Sequence, residues 1–359
     1  MLKDASQLQP KYVFIVDTRN SALWRAAIAH SRNGNCAVIA ATEYFSPLTL
    51  AREIALENPQ FIIFSWRPAF DSIVSSSSPK KVIGSTGAIL LLLIPDHTGL
   101  DKNRQKEQLR IILSDGLLVT SEILRREYLK NFLVEKIQLL HDLPDFEVID
   151  EINAQKSFIR SNKIIWVGNS KWGERSGYKD HKGLMRFALP AFRALIKLDN
   201  SLTFEIIDSS ELKREYKKVL ESVRSSSCLI VTSDSEGTCL PLIEACALGT
   251  PVVTFDVGIA RELLSGDLQS QVSTRNLSSL VTLISSTLFN RDSISRSIAL
   301  RANLYRESVV TDLQNLDFSK VPCGVWRENK NKPVIRNIFY WKLRWFKNAY
   351  SRFLSSSSH

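Results

Sequence analysis

The sequence lacks the features that mark exported and membrane-spanning proteins. No opening stretch combines the charged, apolar and small-residue regions of a signal peptide. The longest apolar run, residues 88–94, is far shorter than the ~20 residues that a membrane-spanning helix needs. The five cysteines are scattered without a CxxC pair, which favours small buried thiols in a reducing compartment. We therefore expect a cytoplasmic protein.

Motifs that define several enzyme classes are also missing. No GxGxxG follows an early strand, which disfavours a dehydrogenase. Gly168 and Gly173 have the Walker A spacing, but Glu174 and Arg175 follow them, so this segment is not a Walker A loop. The sequence contains no strict Asp-x-Asp and no cluster of metal-ligating side chains. We therefore expect no metal and no bound cofactor.

Positive charge is concentrated at one end of the chain. Eight bases and one acid fall within residues 321–359, so this tail holds +7 of the formal net charge of +10. As a helix, the tail would have one apolar side, formed by Ile335, Phe339, Leu343 and Phe346. The opposite side is mostly basic or polar, which is typical of a helix that lies on an anionic membrane. A helix packed on the protein is the alternative. Because the rest of the chain is nearly neutral, we expect no nucleic-acid partner.

The remaining sequence alternates between strand and helix patterns. Strands are predicted at 12–17, 37–41, 61–65, 89–94 and 116–120, with a last one within 132–149 that runs into a linker. The alternation restarts with strands at 164–167, 204–207, 229–232 and 252–255, and helices then continue to about residue 316. Helices are predicted at 21–31, 48–56, 122–131 and 183–198, and the serine run 75–78 is expected in a loop.

This alternation predicts an α/β fold of two domains, each a Rossmann-like parallel sheet, facing each other across a cleft. We place the domains at 1–155 and 156–320, and the basic amphipathic helix at 321–359. Open parallel sheets bind ligands at the carboxyl ends of their strands, so each domain would supply one wall of the cleft.

The most informative segment is residues 233–253. After a buried strand and a turn, Pro241 stands where a helix can begin, and Gly249 where it can end in a left-handed cap. Glu236 then lies in the loop at the end of the strand, and Glu244 lies on the helix. Free N–H groups at the start of a helix favour a diphosphate, and carboxylates accept hydrogen bonds from sugar hydroxyls. The arrangement suits a nucleotide sugar.

This segment resembles the donor-site signature of the family-4 retaining glycosyltransferases, Ser-x-x-Glu-Gly followed by Glu-Ala-x-Ala-x-Gly-x-Pro-Val-Val. The matching residues are Ser233, Glu236, Gly237, Glu244, Ala245, Ala247, Gly249, Pro251, Val252 and Val253, and Gly258 and Glu262 match a further Gly-Gly-x-x-Glu. The resemblance implies the two-domain GT-B fold, with the donor bound mainly by the second domain and the acceptor by the first. It also implies a reaction without a catalytic metal.

The resemblance also assigns roles to single residues. Glu236 would contact hydroxyls of the transferred sugar, and Glu244 the ribose of the nucleotide. Lys182 would hold the diphosphate, with Lys171 or Arg175 as the substitute for a missing arginine. The other candidates are His97 at the sugar and phosphate, and donor-binding Gly237, Thr238, Arg19 and Asn20.

Several positions depart from the family pattern. Asn169 replaces the arginine, Cys239 a frequent glycine, and Ile259 the second glycine of Gly-Gly. The chain between residues 208 and 227 is too short for a strand and helix that the family often has there. His30, His141 and His181 show no partner in the sequence, and we expect them at the surface or in the linker.

These observations lead us to expect a metal-independent hexosyltransferase that moves a sugar from a nucleotide-sugar donor to a hydroxyl group with retention. The resemblance implies a lipid-linked or polysaccharide acceptor in cell-envelope glycan synthesis. Such an enzyme would be cytoplasmic and could bind the inner face of the membrane. Two alternatives stay open: a GT-B-fold epimerase or phosphorylase, and an inactive subunit that only binds a sugar nucleotide.

Overall fold

The computed structural model describes residues 11–32, 34–155 and 159–317. Within them, two parallel β-sheets are each packed between helices, as the strand and helix pattern predicts. The amphipathic helix predicted within 321–359 lies outside the described residues. None of the helices described here is long and apolar enough to cross a membrane.

The first sheet has six parallel strands in the order β2-β1-β3-β4-β5-β6. They are β1 (Tyr12–Val16), β2 (Cys36–Ala40), β3 (Phe61–Phe64), β4 (Ile89–Ile94), β5 (Gly116–Val119) and β6 (Ile137–Leu139). The helices are α1 (Ala22–Ser31), α2 (Pro47–Leu56), α3 (Arg67–Ser75), α4 (Ser77–Thr86), α5 (Thr98–Lys102), α6 (Arg104–Leu113), α7 (Glu122–Asn131) and α8 (Phe146–Asn153). The predicted strands and helices of this half are confirmed, within a residue or two at their ends.

Alternating side chains of β1 enter two separate hydrophobic clusters. Tyr12 and Phe14 pack on one face of the sheet, and Val13 and Ile15 pack on the other. This period of two is the geometry of a strand, and it explains why the sheet needs helices on both sides. Ser21 caps α1 by accepting a hydrogen bond from the backbone N–H of Trp24 at 3.0 Å.

The segment predicted as a last strand and a linker holds a strand and a helix. Only three residues form β6, and α8 follows with Asp145 as its N-cap. Phe146, Ile149 and Ile152 are buried against the core of the second domain. Their spacing of three residues is helical, but the preceding Leu143-Pro144-Asp145 reads as a turn, so the sequence indicates a linker here.

The second sheet has five parallel strands in the order β11-β10-β9-β7-β8. They are β7 (Lys163–Gly168), β8 (Thr203–Asp208), β9 (Cys228–Val231), β10 (Val252–Phe255) and β11 (Val272–Ser273). The helices are α9 (Leu189–Leu198), α10 (Tyr216–Arg224), α11 (Leu240–Ala247), α12 (Ala260–Leu263), α13 (Leu277–Phe289) and α14 (Arg291–Val309). A π-helical turn (Leu184–Ala188) leads into α9. Strand β8 lies at the edge of the sheet, because the short chain before β9 adds one helix and no strand.

The end of the described chain returns to the first domain. After α14, Leu313 enters the hydrophobic cluster that contains Tyr12 and Phe14. The Tyr12 hydroxyl donates a hydrogen bond to the carbonyl oxygen of Leu313 at 3.0 Å. The two domains are therefore joined both through α8 and through this returning segment. The domain limits at 155/156 and 320/321 stay predictions.

Candidate functional site

The loop between β9 and α11 forms one wall of the candidate site. Strand β9 is fully buried, and α11 begins at Leu240 with Pro241 in its first turn. Gly249, with a φ of +68°, follows the helix in the left-handed conformation. The predicted start and end of this helix are confirmed. Glu236 lies in the loop and Glu244 in the second turn of α11, as the sequence predicts.

Glu236 is held by two residues of the second domain. Lys182 Nζ donates to Glu236 Oε1 at 2.5 Å, and the Ser233 hydroxyl donates to the same oxygen at 2.5 Å. Lys182 also lies 5.3 Å from the centroid of the Trp172 ring, which packs on His181. This arrangement places a cation and a carboxylate side by side. The cation can bind a phosphate, and the carboxylate can accept hydrogen bonds from hydroxyl groups.

Cys239 departs from the family pattern at a strained position. Its φ is +71°, in the left-handed region that favours glycine. This backbone conformation explains why the family pattern often has glycine at this position. Cys239 adopts the same conformation although it carries a side chain. The thiol is buried, and burial raises its pKa beyond the ordinary range of a cysteine, so it is not a thiolate nucleophile.

Glu244 is buried next to a tyrosine and faces an arginine of the other domain. The Tyr216 hydroxyl donates to Glu244 Oε1 at 2.8 Å. The Arg25 guanidinium, on α1, lies 4.8 Å from the centroid of the Tyr216 ring. Burial raises the pKa of Glu244, and the Arg25 charge and the Tyr216 hydrogen bond oppose that rise. Glu244 therefore places a hydrogen-bonding carboxyl group in a buried part of the site.

The first domain forms the opposite wall with the loop after β4. A Cβ atom added to Gly237 would lie 1.9 Å from the carbonyl oxygen of Pro95, so the two domains approach each other closely there. His97 lies two residues further along, at the start of α5. Arg67 holds this loop through Asp96, at 3.0 Å between Nη1 and Oδ1. The structure thus brings the His97 loop against the Glu236–Gly237 loop.

Thr238 joins the same contact between the domains. Its hydroxyl lies 3.0 Å from Asp142 Oδ2 and 3.3 Å from the carbonyl oxygen of Thr120. Burial raises the pKa of Asp142 to about 6, and the Thr238 hydrogen bond opposes that rise. Asp142 is therefore a carboxyl group that titrates close to neutral pH, beside the candidate donor loop.

Three predicted site residues have partners elsewhere. Arg19 pairs with Glu43 and is exposed, and the Asn20 carbonyl accepts a hydrogen bond from Arg25 at 2.9 Å. Lys171 Nζ donates to Glu211 at 2.6 Å, and that contact raises the pKa of Lys171. Within the described residues, no hydrogen bond or ion pair joins these three to the Glu236–Lys182 pair. Their roles in donor binding stay predictions.

The expectation that His30, His141 and His181 lie at the surface or in the linker is wrong, since all three are buried. His30 packs on Phe14, and burial lowers its pKa to about 4. His141 contacts Asp312 at 2.7 Å and Glu262 at 3.1 Å. The hydrogen-bond partners of the other two are also distant in the chain, since His30 contacts the carbonyl oxygen of His141 and His181 that of Ser235. The local sequence does not reveal these contacts.

Among the residues described, no group of three or more His, Cys, Asp or Glu side chains is arranged to hold a metal ion.

Comparisons with known proteins bear on the second domain first. Residues 204–293 match the model of the family Glycosyl transferases group 1. This range contains Glu236, Glu244 and the loop that faces the first domain. The match supports glycosyl transfer as the class of activity. No curated protein matches the chain.

Solved structures extend the comparison to both domains. HepE of Anabaena, solved with UDP and glucose, matches with a TM-score of 0.59 at 12% identity, over 85% of this chain and 97% of HepE. Sucrose-phosphate synthase of Thermosynechococcus elongatus matches with a TM-score of 0.56 at 13% identity, over 85% of this chain and 97% of that one. S. aureus TarM matches with a TM-score of 0.56 at 17% identity, over 75% of this chain. The match covers 57% of TarM, so this chain spans little more than half its length. The predicted GT-B arrangement of two parallel-sheet domains is confirmed.

Sequence reasoning missed two residues of the site, Arg25 and Tyr216. Arg25 lies one turn into α1, and Tyr216 is the first residue of α10. Neither belongs to a motif, and their contact joins the two domains. The available signal was position alone, since both follow loops at carboxyl ends of parallel strands.

Proposed function

We propose that this protein is a glycosyltransferase that moves a sugar from a nucleotide-sugar donor to a hydroxyl group of an acceptor, with retention of the anomeric configuration. The observation that carries the proposal is the pair of glutamates on one wall of the cleft. Glu236 is paired with Lys182 in the loop, and Glu244 is buried on the helix that follows. The family match over residues 204–293 and HepE, a protein of this fold that was solved with UDP-glucose, support the same proposal.

In the proposed mechanism, each group of the donor meets a chemically matched part of the second domain. The ribose hydroxyls donate to Glu244, and the transferred sugar donates to Glu236. Lys182 and the positive, N-terminal end of α11 face the diphosphate, whose negative charge grows as the bond to the sugar breaks. Cations and N–H groups that are already in place stabilise that charge without reorganisation. When the donor binds, its diphosphate would compete with Glu236 for Lys182.

Donor binding and turnover test this proposal in sequence. A panel of UDP-, GDP- and ADP-sugars is screened for an increase in melting temperature, because a ligand that binds only the folded state stabilises it. Sugar transfer from the stabilising donor is then measured by release of the nucleoside diphosphate. Stabilisation without turnover on any acceptor would favour an inactive binding subunit. Conversion of the nucleotide sugar to its epimer without net release of nucleoside diphosphate would favour an epimerase, and sugar release that requires inorganic phosphate would favour a phosphorylase. Lack of any stabilisation would contradict the proposal.

The proposed reaction needs no metal ion, because Lys182 and the helix N–H groups supply the positive charge that faces the diphosphate. We expect the turnover rate in EDTA to equal that in buffer alone. A rate lost in EDTA and restored by Mn²⁺ or Mg²⁺ would contradict the metal-independent mechanism.

The proposed acceptor is a lipid-linked or polysaccharide glycan of the cell envelope, with the enzyme bound to the inner face of the membrane. The charge and apolar pattern of residues 321–359 supports this part of the proposal, because a basic amphipathic helix binds anionic lipid surfaces. A tail bound to the membrane would hold the cleft close to acceptors that are themselves anchored there.

A further inference from the structure

The Arg25 side chain is a cation of the first domain that reaches the nucleotide side of the cleft. Its guanidinium carbon lies over the Tyr216 ring at 4.8 Å, and the Tyr216 hydroxyl is bonded to Glu244. The Arg25 charge is close enough to oppose the rise in the pKa of Glu244 that burial causes. Arg25 therefore lies beside the carboxylate that would bind the ribose, although it belongs to the other domain.

Among the described residues, the Arg25 side chain makes one hydrogen bond. Nη1 donates to the carbonyl oxygen of Asn20 at 2.9 Å. Nε is buried and has no hydrogen-bond partner in the part of the chain that the structure describes. Nε and Nη2 form the edge of a guanidinium that binds carboxylates and phosphates with two parallel hydrogen bonds. A buried N–H group without an acceptor is energetically unfavourable. Binding of an anion to this edge therefore lowers the free energy.

The surroundings decide which anion fits. In the ranges that the structure describes, no carboxylate forms a hydrogen bond or ion pair with Arg25, and the two nearby candidates have other partners: Glu244 is bonded to Tyr216, and Glu236 to Lys182. A nucleotide whose ribose is bound at Glu244 carries its phosphates next to the ribose. The guanidinium is planar, and with one face on the Tyr216 ring it can still bind an anion through its edge.

We propose that Arg25 binds the diphosphate of the donor from the first domain, across the cleft from Lys182. This inference rests on the proposed function, because it takes a nucleoside diphosphate as the ligand. It adds a cation on the wall of the first domain, where the sequence predicts Arg19 and Asn20 as donor-binding residues. The diphosphate then contacts both domains, so donor binding stabilises their approach and the closed cleft.

The test separates the diphosphate from the rest of the nucleotide. Binding of UDP, GDP and ADP is measured by calorimetry, and binding of the matching nucleosides by ligand-observed NMR. For Arg25→Gln we expect affinity for the bound diphosphate to fall by about ten-fold or more, as for loss of a charge-assisted hydrogen bond. Affinity for the nucleoside should stay unchanged. Arg25→Lys keeps the charge but not the two parallel bonds, and should recover part of the loss.

Arg52→Gln is the matched control, because Arg52 is exposed on α2 of the same domain and should not change either affinity. Circular dichroism and melting temperatures confirm that each variant is folded. Equal diphosphate affinity in wild type and Arg25→Gln would overturn the role of Arg25 and leave the proposed function intact. An equal loss for diphosphate and nucleoside would also overturn it, because Arg25 would then shape the site through Tyr216. Absence of diphosphate binding in the wild type would overturn both proposals.

Discussion

Glu244 is a buried carboxyl group: burial raises its pKa, and the Arg25 charge and the Tyr216 hydrogen bond oppose that rise. For Glu244→Gln we expect weaker binding of free nucleoside diphosphate by ~1.5–3 kcal/mol, the range for a hydrogen bond to a charged acceptor. The fold should be preserved, because glutamine can still accept from Tyr216 and loses the cost of a buried charge. Calorimetry on the variant and on Glu221→Gln, an exposed acid of α10, measures the difference. Unchanged affinity in Glu244→Gln would exclude the ribose role.

The residues that the sequence could identify are those within one motif. Glu236 lies in the loop after a strand, and Glu244, eight residues later, lies on the helix that follows. Both positions could therefore be predicted from the strand, turn and helix signals of one short segment. Lys182 was placed by the Lys-Gly pair, and the structure brings it to Glu236. Arg25 and Tyr216 could not be found in this way. Their contact depends on how the two domains pack against each other, and a motif within one segment of the sequence does not show this packing.

At the scale of single elements, the stability of α11 depends on the glycine that ends it. Gly249 has a φ of +68°, and a side chain in this conformation costs about 1–2 kcal/mol. We expect Gly249→Ala to lower the free energy of unfolding by about that amount. Gly34→Ala is the control, because its Cβ would meet only ordinary contacts at 3.5 Å and Gly34 has no positive φ. Urea unfolding of both variants tests this. An equal effect at both positions would show that the left-handed cap is not the cause.

Elements were predictable where one pattern dominated. The helix 122–131 was predicted with both ends correct, because Ser121 caps it and Phe132 begins an extended segment. The serine run 75–78 was expected in a loop, but Ser75 ends α3 and Ser77 begins α4. Only Ser76 is extended between them. Serine favours helix ends as well as loops, so composition alone could not separate the two.

At the scale of the whole molecule, His141 ties the returning segment to both domains. Burial by itself lowers the pKa of His141, but the hydrogen bonds to Asp312 and Glu262 outweigh it and raise the pKa to about 9. The charged form is therefore favoured by folding. Its stabilisation is fully present below about pH 6.5, the ordinary pKa of histidine, and is lost as the pH rises through 9.

We expect the wild type to lose up to about 3 kcal/mol more stability than His141→Gln between pH 7 and pH 10. Urea unfolding at several pH values measures it, and the difference between the two proteins cancels the other titrating groups. His181→Gln serves as the control. Burial lowers the pKa of His181, which is therefore neutral throughout this range. Parallel stability curves for wild type and His141→Gln would contradict the role of His141.

Membrane binding is tested on the whole chain. Full-length protein and a chain that ends at Val321 are sedimented with vesicles that contain an anionic lipid. We expect only the full-length protein to sediment, since each base near an anionic surface contributes about 1 kcal/mol. Vesicles of neutral lipid are the control, and they should recover much less protein. Equal recovery of both proteins with anionic vesicles would dispose of the membrane role and leave a tail that packs on the protein or binds a partner.

The hydrogen bond between Tyr12 and Leu313 affects the order in which the two domains fold during synthesis. These residues are 301 positions apart, yet both belong to one face of the first sheet. At ~5–20 residues per second, the ribosome makes the second partner roughly 15–60 seconds after the first. During that time the hydrophobic cluster that contains Tyr12 lacks Leu313, the last residue that packs into it. The first domain can therefore complete its packing only after the second has been synthesised. Until then this apolar face of the nascent chain is accessible to chaperones.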